Sequence, residues 1–326
     1  MKILVVGGAG YIGSHIILEL LHKGYDPVVY DNLSTGHFWA VPNGRLIQGE
    51  LADFVTLNNV FKTNQIQAVM HFASSIQVAE SVEAPLKYYQ NNVANTLNLL
   101  AAMQQNNVKR IVFSSTAAVY GTSASVPIPE HAFLNPENPY GRSKLMVEQI
   151  LADCDQSWGL KSGILRYFNA AGAHPTAAIG EAHTPESHLI PILLQVACGR
   201  REFLTIHGTD YPTKDGTCVR DYIHVCDLAT AHSLALDALL DDSDSFICNL
   251  GNGLGYSIQE VIEVGRSLTH HPIPVRIGQR RQGDPSILVA SADKMRSEFG
   301  WSPQFADLSA IIGSAWEWHK NNIHGY

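Results

Sequence analysis

Four apolar residues followed directly by a glycine cluster open this chain and narrow its fold more than any other feature. Residues 3–6 (Ile-Leu-Val-Val) run into Gly7-Gly8-Ala9-Gly10-Tyr11-Ile12-Gly13, and helical apolar spacing continues to residue 23. Strand, glycine turn and helix in that order begin a βαβ unit. In this Gly-x-x-Gly-x-x-Gly spacing Gly7 permits the tight turn and Gly10 lets main chain approach a pyrophosphate. Gly13 lets the helix pack closely on the strand, and the helix presents its positive end to the diphosphate.

The alternation continues. Short β-branched runs at residues 28–30, 68–72, 110–114 and 161–167 are separated by helical stretches at 85–106 and 140–158. Apolar strands alternating with helices predict a doubly wound, Rossmann-like parallel sheet covered on both faces. After residue 169 the rhythm weakens. Residues 174–186 and 209–221 have loop composition, and a βα-like piece at 222–250 looks as though it returns to the sheet. The 326 residues exceed what one core usually serves, so a second domain is expected. The expected division is α/β throughout: residues 1–168 plus about 222–253 as a nucleotide-binding domain. Residues of about 169–221 plus 254–326 then form a smaller, discontinuous substrate domain.

Asp31 ends the second strand. An acid there hydrogen-bonds the adenosine ribose hydroxyls and repels a 2′-phosphate, which selects NAD over NADP. Tyr140-Gly141-Arg142-Ser143-Lys144 sets a phenol and an ammonium four residues apart on one helical face, with Pro139 suited to the helix start. An ordinary phenol is a poor base at neutral pH, but a nearby ammonium, a helix N-terminus and an oxidised nicotinamide all favour the phenolate. Tyr140 could then take a proton from a sugar hydroxyl while hydride leaves the same carbon. Ser114-Ser115-Thr116 ends the strand before it, at the carboxyl edge where open sheets bind ligands. The Thr116 hydroxyl is suited to relay that proton.

Other classes are excluded or left without support. The formal charge of −8 argues against a nucleic-acid partner. The N-terminal apolar run is too short for a signal peptide or a membrane span, and five cysteines without a Cys-x-x-Cys pair suit reduced thiols in the cytoplasm. Among fifteen histidines, His270-His271 and the pair His183 and His188 lack a ligand spacing such as His-Glu-x-x-His, so no metal is expected.

Taken together these motifs resemble the extended short-chain dehydrogenase/reductase family, and within it the UDP-glucose 4-epimerases. The likeness runs nearly end to end. It includes Tyr88-Tyr89-Gln90-Asn91-Asn92, Arg166-Tyr167-Phe168-Asn169, Gly208-Thr209-Asp210-Tyr211-Pro212-Thr213, Arg220-Asp221-Tyr222-Ile223-His224 and Arg280-Arg281-Gln282-Gly283-Asp284. It implies a homodimer that interconverts UDP-glucose and UDP-galactose through a 4-keto intermediate on bound NAD. Tyr140 is then the base, Lys144 lowers its pKa and Thr116 relays the proton. Cofactor contacts are implied at Gly7, Gly10, Tyr11, Ile12, Gly13, Asp31, Asn32, Leu33, Ser34, Thr35, Gly36, Glu50 and Leu51. They continue at Phe72, Ala73, Ser74, Ser75, Ile76, Asn91, Thr116, Tyr140, Lys144 and Phe168. Substrate contacts are implied at Thr116, Tyr140, Asn169, His188, Leu189, Thr205, Ile206, His207, Arg220, Arg281, Asp284 and Leu288.

The chain departs from the family pattern in places. Thr116 stands where Ser is frequent, Glu50 replaces Asp, Ile76 replaces a Lys of some members, and His188 replaces Asn. His207 takes the place of an aromatic ring that stacks on uracil. Leu288, at a position gating bulk beside the sugar's C2 group, is intermediate between Tyr and Cys. An epimerase of an N-acetylhexosamine, pentose or uronate therefore stays open. So does a non-enzymatic NAD-sensing regulator on the same fold. Ala117-Ala118 beside Thr116 cannot transfer protons, which argues against a dehydratase or decarboxylase.

Overall fold

The computed structural model describes residues 1–123, 125–176, 178–281 and 284–322. Gln282 and Gly283 of the last family motif, and the final residues of the second expected domain, lie outside them. The strands, in chain order, are β1 (Lys2–Val6), β2 (Asp26–Asp31), β3 (Leu46–Gln48), β4 (Ala68–His71), β5 (Arg110–Thr116) and β6 (Lys161–Tyr167). They continue as β7 (Asn169–Ala171), β8 (Leu204–His207), β9 (Val219–His224), β10 (Phe246–Leu250), β11 (Gly255–Ser257), β12 (Val275–Gly278) and β13 (Ile287–Leu288).

Seven strands form one parallel sheet in the order β10-β6-β5-β4-β1-β2-β3. Its central strands read as continuous apolar runs because both faces are covered. Ile3, Val5, Met70, Val112 and Leu165 face one apolar layer with the Tyr11–His22 and Val225–Leu240 helices. Leu4, Val6, Val69, Ile111 and Phe113 face the other, beneath the Phe54–Asn64, Asn95–Gln105 and Pro139–Trp158 helices. The sheet order reverses between β1 and β4, which follow neighbouring chain segments in opposite directions across the sheet. This is the place where doubly wound folds bind ligands, beyond the carboxyl ends of the strands.

The Val225–Leu240 helix and β10 join this sheet, as the sequence suggests for residues 222–250. The strand just before them does not: β9 pairs with β7, β11 and β13 in a separate four-stranded sheet, and β8 pairs with β12 in a third. Leu193, Leu194, Ile206, Tyr222, Ile262, Ile311 and Ile312 form the core of that second region.

One sequence expectation changes. Residues 85–106 are not one regular helix: Pro85–Tyr88 is α-helical, Tyr89–Ala94 is a π-helical turn, and Asn95–Gln105 is α-helical again. The wider turn accompanies side-chain bonds that a regular helix pattern does not anticipate. Asn92 Nδ2 donates to Ser143 Oγ at 3.0 Å and to the Ser75 carbonyl at 3.0 Å, and Asn92 Oδ1 accepts from the Ser75 N–H at 2.8 Å. Such π turns recur where side chains must be aimed at a site.

Candidate active site

The glycine loop is dictated by close main-chain packing. Gly7 has φ +79°, and a Cβ there would stand 2.4 Å from the Ala73 nitrogen; a Cβ on Gly13 would stand 2.4 Å from the Gly7 carbonyl oxygen. Only hydrogen fits at either position. Gly10 differs, for its Cβ would meet one atom alone, the Gly7 carbonyl oxygen at 3.4 Å, so the surface above it is open. Gly10 is also the N-cap of the Tyr11–His22 helix, and no side chain caps it. Tyr11 and Ile12 begin the helix, where first-turn N–H groups favour an anion.

Around this loop the other predicted cofactor residues gather from successive strand ends. Asp31 accepts the Ala9 N–H at 2.9 Å and the Leu33 N–H at 2.8 Å. Burial pushes its carboxyl up, and those two bonds pull it back down. Its remaining lone pairs are available for hydroxyl donors. Asn32 bonds Glu50 Oε2 at 3.0 Å and the Ser34 N–H at 2.9 Å, leading into Thr35 and Gly36. Tyr30 donates its hydroxyl to the Glu50 carbonyl at 2.8 Å, beside buried Leu51. After β4, Phe72 and Ala73 donate main-chain bonds to the Val6 carbonyl at 2.8 and 3.1 Å, followed by Ser74, Ser75 and Ile76. Asn91 Nδ2 holds Ser75 Oγ at 3.1 Å. Phe168 is tied through its N–H to Leu250 at 3.3 Å. An open, uncapped helix N-terminus with a carboxylate at the next strand end fits a dinucleotide.

Thr116 ends β5, paired in register with Tyr167 of β6. Its Oγ1 accepts the Ala118 N–H at 3.1 Å, and its side chain lies beside the Tyr140 phenol. Asn138 caps the Pro139–Trp158 helix by accepting the Gly141 N–H at 2.9 Å, which sets Tyr140 in the first turn. One turn on, Lys144 is buried; its Nζ donates to the Ser114 carbonyl at 2.8 Å and lies 4.9 Å from the Phe113 ring centre. Burial pushes the Tyr140 phenol up, opposed by the Thr116 side chain. Burial also lowers Lys144 to about 7, opposed by the Glu148 carboxylate. Lys144 is thus held by main chain at the foot of the same helical face as the phenol.

Sequence reasoning missed Glu148. It sits a further turn along, bonded by Ser115 Oγ and paired with Arg166, whose Nη2 lies 2.5 Å from its Oε2. Both partners are nearly inaccessible. The signal available was Tyr140, Lys144 and Glu148 at successive i, i+4 positions.

Of the predicted substrate residues, Asn169, Thr205, Ile206, His207, Arg220 and Leu288 lie on the smaller sheets, Leu189 begins a helix, and Arg281 and Asp284 lie in the connection before β13. Asn169 Nδ2 donates to the Asp221 carbonyl at 2.8 Å. Arg220 pairs with Asp284, and its Nη1 donates to the Val219 carbonyl at 2.8 Å. Leu288 lies opposite Arg220 in the β9–β13 register and packs with Val119, Tyr120 and Phe168, joining this region to the end of β5. Thr205, Ile206 and His207 form β8, where burial and the nearby Arg281 charge lower the His207 imidazole. His188 stands at the N-cap position of the Leu189–Ala197 helix, but its ring turns to Glu181, within a cluster completed by His183 and Glu186. The helical zinc spacing sought in the sequence misses this cluster because its members lie on a loop.

No helix among the described residues is long and apolar enough to cross a membrane. Residues 3–251 match the NAD dependent epimerase/dehydratase family. The chain is 51% identical over 326 residues to a UDP-glucose 4-epimerase of Halalkalibacterium halodurans, covering 100% of this chain and 98% of that protein. A crystal structure of UDP-glucose 4-epimerase from Brucella ovis in complex with NAD superposes with TM-score 0.94 at 46% identity, covering 97% of each chain. That from Bifidobacterium longum, in complex with NAD+ and UDP, also gives 0.94, at 39% identity over 100% of both chains. With strand order, glycine loop and full-length likeness in agreement, the chain belongs to the NAD dependent epimerase/dehydratase family.

Proposed function

We propose that this chain interconverts UDP-glucose and UDP-galactose by reversible oxidation at C4 of the hexose, with NAD as a bound cofactor that is regenerated in each cycle. The observation that carries the proposal is Tyr140 in the first turn of its helix with Lys144 one turn on, both set against the Ser114–Thr116 end of β5. The glycine loop takes the diphosphate of NAD and Asp31 takes its adenosine ribose. When bound, NAD would supply the hydride acceptor for C4 and the source of the hydride for the opposite face of the 4-keto sugar.

Tyr140 takes the C4 hydroxyl proton through Thr116 and later gives it back. Burial holds the phenol protonated and the Thr116 side chain opposes it; positive charge on Lys144 and on the oxidised nicotinamide would add to the shift toward the phenolate. Asn169, Arg220 and Arg281 hold the uridine diphosphate, with Asp284 fixing the Arg220 fork and His207 offering a flat ring to uracil. Arginine suits that task because its planar fork matches phosphate oxygens. Anchoring the nucleotide leaves the hexose free to turn over between oxidation and reduction, and remote binding energy then supports reaction at the sugar.

The chain's two regions act as a nucleotide-binding lobe and a discontinuous substrate lobe. A cytoplasmic homodimer is the setting we propose, on the unpaired cysteines and on the family resemblance respectively.

The test is to incubate the purified chain, without added NAD, with UDP-galactose and with UDP-N-acetylgalactosamine separately. UDP-glucose is expected from the first. Conversion of the second reports on the room that Leu288 leaves beside the sugar. Conversion of neither, even after NAD is added, contradicts the proposal.

A further inference from the structure

Between β7 and the Leu189–Ala197 helix the chain folds back so that Glu181, His183, Glu186 and His188 each bring one donor atom into a cluster. All four atoms lie within 4.8 Å of one another. His183 Nδ1 stands 3.1 Å from Glu181 Oε1 and 3.8 Å from Glu186 Oε1. His188 Nδ1 contacts the same Glu181 oxygen and lies 3.9 Å from Glu186 Oε1. The glutamate side chains are only 4% and 3% exposed, and the ion pairs they form among the described residues are with these two histidines.

Glu186 Oε1 accepts the Ser187 and His188 N–H groups at 2.8 and 2.9 Å, but two carboxylates buried this deeply still call for positive charges. Two imidazolium rings could supply them, but the ring centres are 5.4 Å apart and like charges at that distance repel. One divalent cation between neutral rings supplies the same charge without that repulsion.

We propose that Glu181, His183, Glu186 and His188 form a binding site for a divalent transition-metal ion of the zinc class. Both imidazoles turn Nδ1 toward the carboxylates, so each presents a ring nitrogen to the same point. Tetrahedral ligands about 2.0–2.1 Å from zinc lie about 3.4 Å from each other. Separations of 3.1, 3.8 and 3.9 Å bracket that length, and the short His188–Glu181 contact is the one that opens when both atoms turn to the ion. Two nitrogens and two carboxylate oxygens suit zinc, whereas magnesium and calcium take oxygen alone. The ligands follow the pattern Glu-x-His-x-x-Glu-x-His, so chelation closes only short loops and orders little chain.

The site's position suggests what the ion does. The His183 ring meets Tyr11 of the cofactor loop edge-on, centres 6.3 Å apart, and Tyr11 donates its hydroxyl to the Gly172 carbonyl at 2.6 Å. His188 stands at the N-cap position of the Leu189–Ala197 helix. An ion here staples the segment between β7 and that helix against the glycine loop. No step of the C4 chemistry passes through it.

The test is metal content after the full chain is stripped with a chelator, equilibrated with zinc or with magnesium, and desalted. Wild type is expected to retain one zinc per chain and no magnesium, and zinc is expected to raise its unfolding temperature. His183→Gln and Glu181→Gln are expected to lose both effects. Absence of retained zinc in wild type, or equal retention by His183→Gln, overturns the proposal and leaves a charge-paired network or a site elsewhere. Cobalt keeps the test decisive if the variants fold poorly. Cobalt-loaded wild type is expected to show the intense visible absorption of a four-coordinate ion, and a weak aqueous-ion spectrum overturns the site.

Discussion

On the cofactor side the decisive contacts are between main-chain atoms: an added Cβ on Gly7 meets Ala73 backbone, and one on Gly13 meets Gly7 backbone, each at 2.4 Å. On the proposed substrate side they are between side chains from distant segments, such as Arg220 with Asp284, 64 residues apart. Backbone sterics allow one residue type and one spacing, so that side is strict and local. Paired side chains tolerate exchange, so the proposed substrate site can accommodate departures from a family pattern at His207, His188 and Leu288. Tyr140, Lys144 and Thr116 stand at the junction and belong to neither scheme.

The sharpest way to break this comparison is at the junction. Tyr140→Phe is expected to lower turnover by about 100- to 10,000-fold, the range for losing a positioned acid–base group, with NAD content unchanged. Steady-state kinetics and cofactor release on denaturation check both parts. Loss of NAD together with turnover would assign Tyr140 to the cofactor side instead.

Lys144→Met tests the junction through stability. Burial lowers the folded-state value of Lys144 to about 7, below that of the unfolded chain. From about pH 7 to 10 the unfolded state therefore binds more protons, and wild-type stability rises with pH by at most about 1.4 kcal/mol per unit. The methionine variant lacks that contribution, so its stability relative to wild type should fall between pH 7 and pH 10. Denaturant titrations at the two pH values measure the difference, and parallel curves would refute the buried ammonium.

Gly7→Ala probes the cofactor side. Overpacking and a positive φ together predict a loss of about 1–3 kcal/mol in stability, with NAD content falling alongside it. UDP affinity of the folded fraction should hardly change. Arg220→Met makes the converse test. It should raise KM for the UDP-sugar about 10- to 100-fold, as loss of charge-assisted bonds implies, while NAD content stays constant. A fall in NAD content there would show that the two sides are not separable.

The same contrast explains what could be read in the sequence. The glycine loop, Asp31 at the end of β2 and the Tyr140–Lys144 pair are short-range patterns whose physics is complete within a few residues. The π-helical turn at Tyr89–Ala94 was hidden because its apolar spacing continues that of the flanking helices. The Glu148–Arg166 pair joins a helix to a neighbouring strand, and nothing local announces the partner. β9 reads like a strand of the main sheet, yet pairing with β7, β11 and β13 places it elsewhere. Glu181, His183, Glu186 and His188 looked like scattered loop residues because the ligand spacings sought were helical.

The central claim is that hydride leaves C4 of the sugar and returns to the same carbon without exchange with water. UDP-galactose deuterated at C4, incubated with the chain in ordinary water, should give UDP-glucose that keeps the deuterium at C4. Washout of the deuterium during conversion would contradict the account.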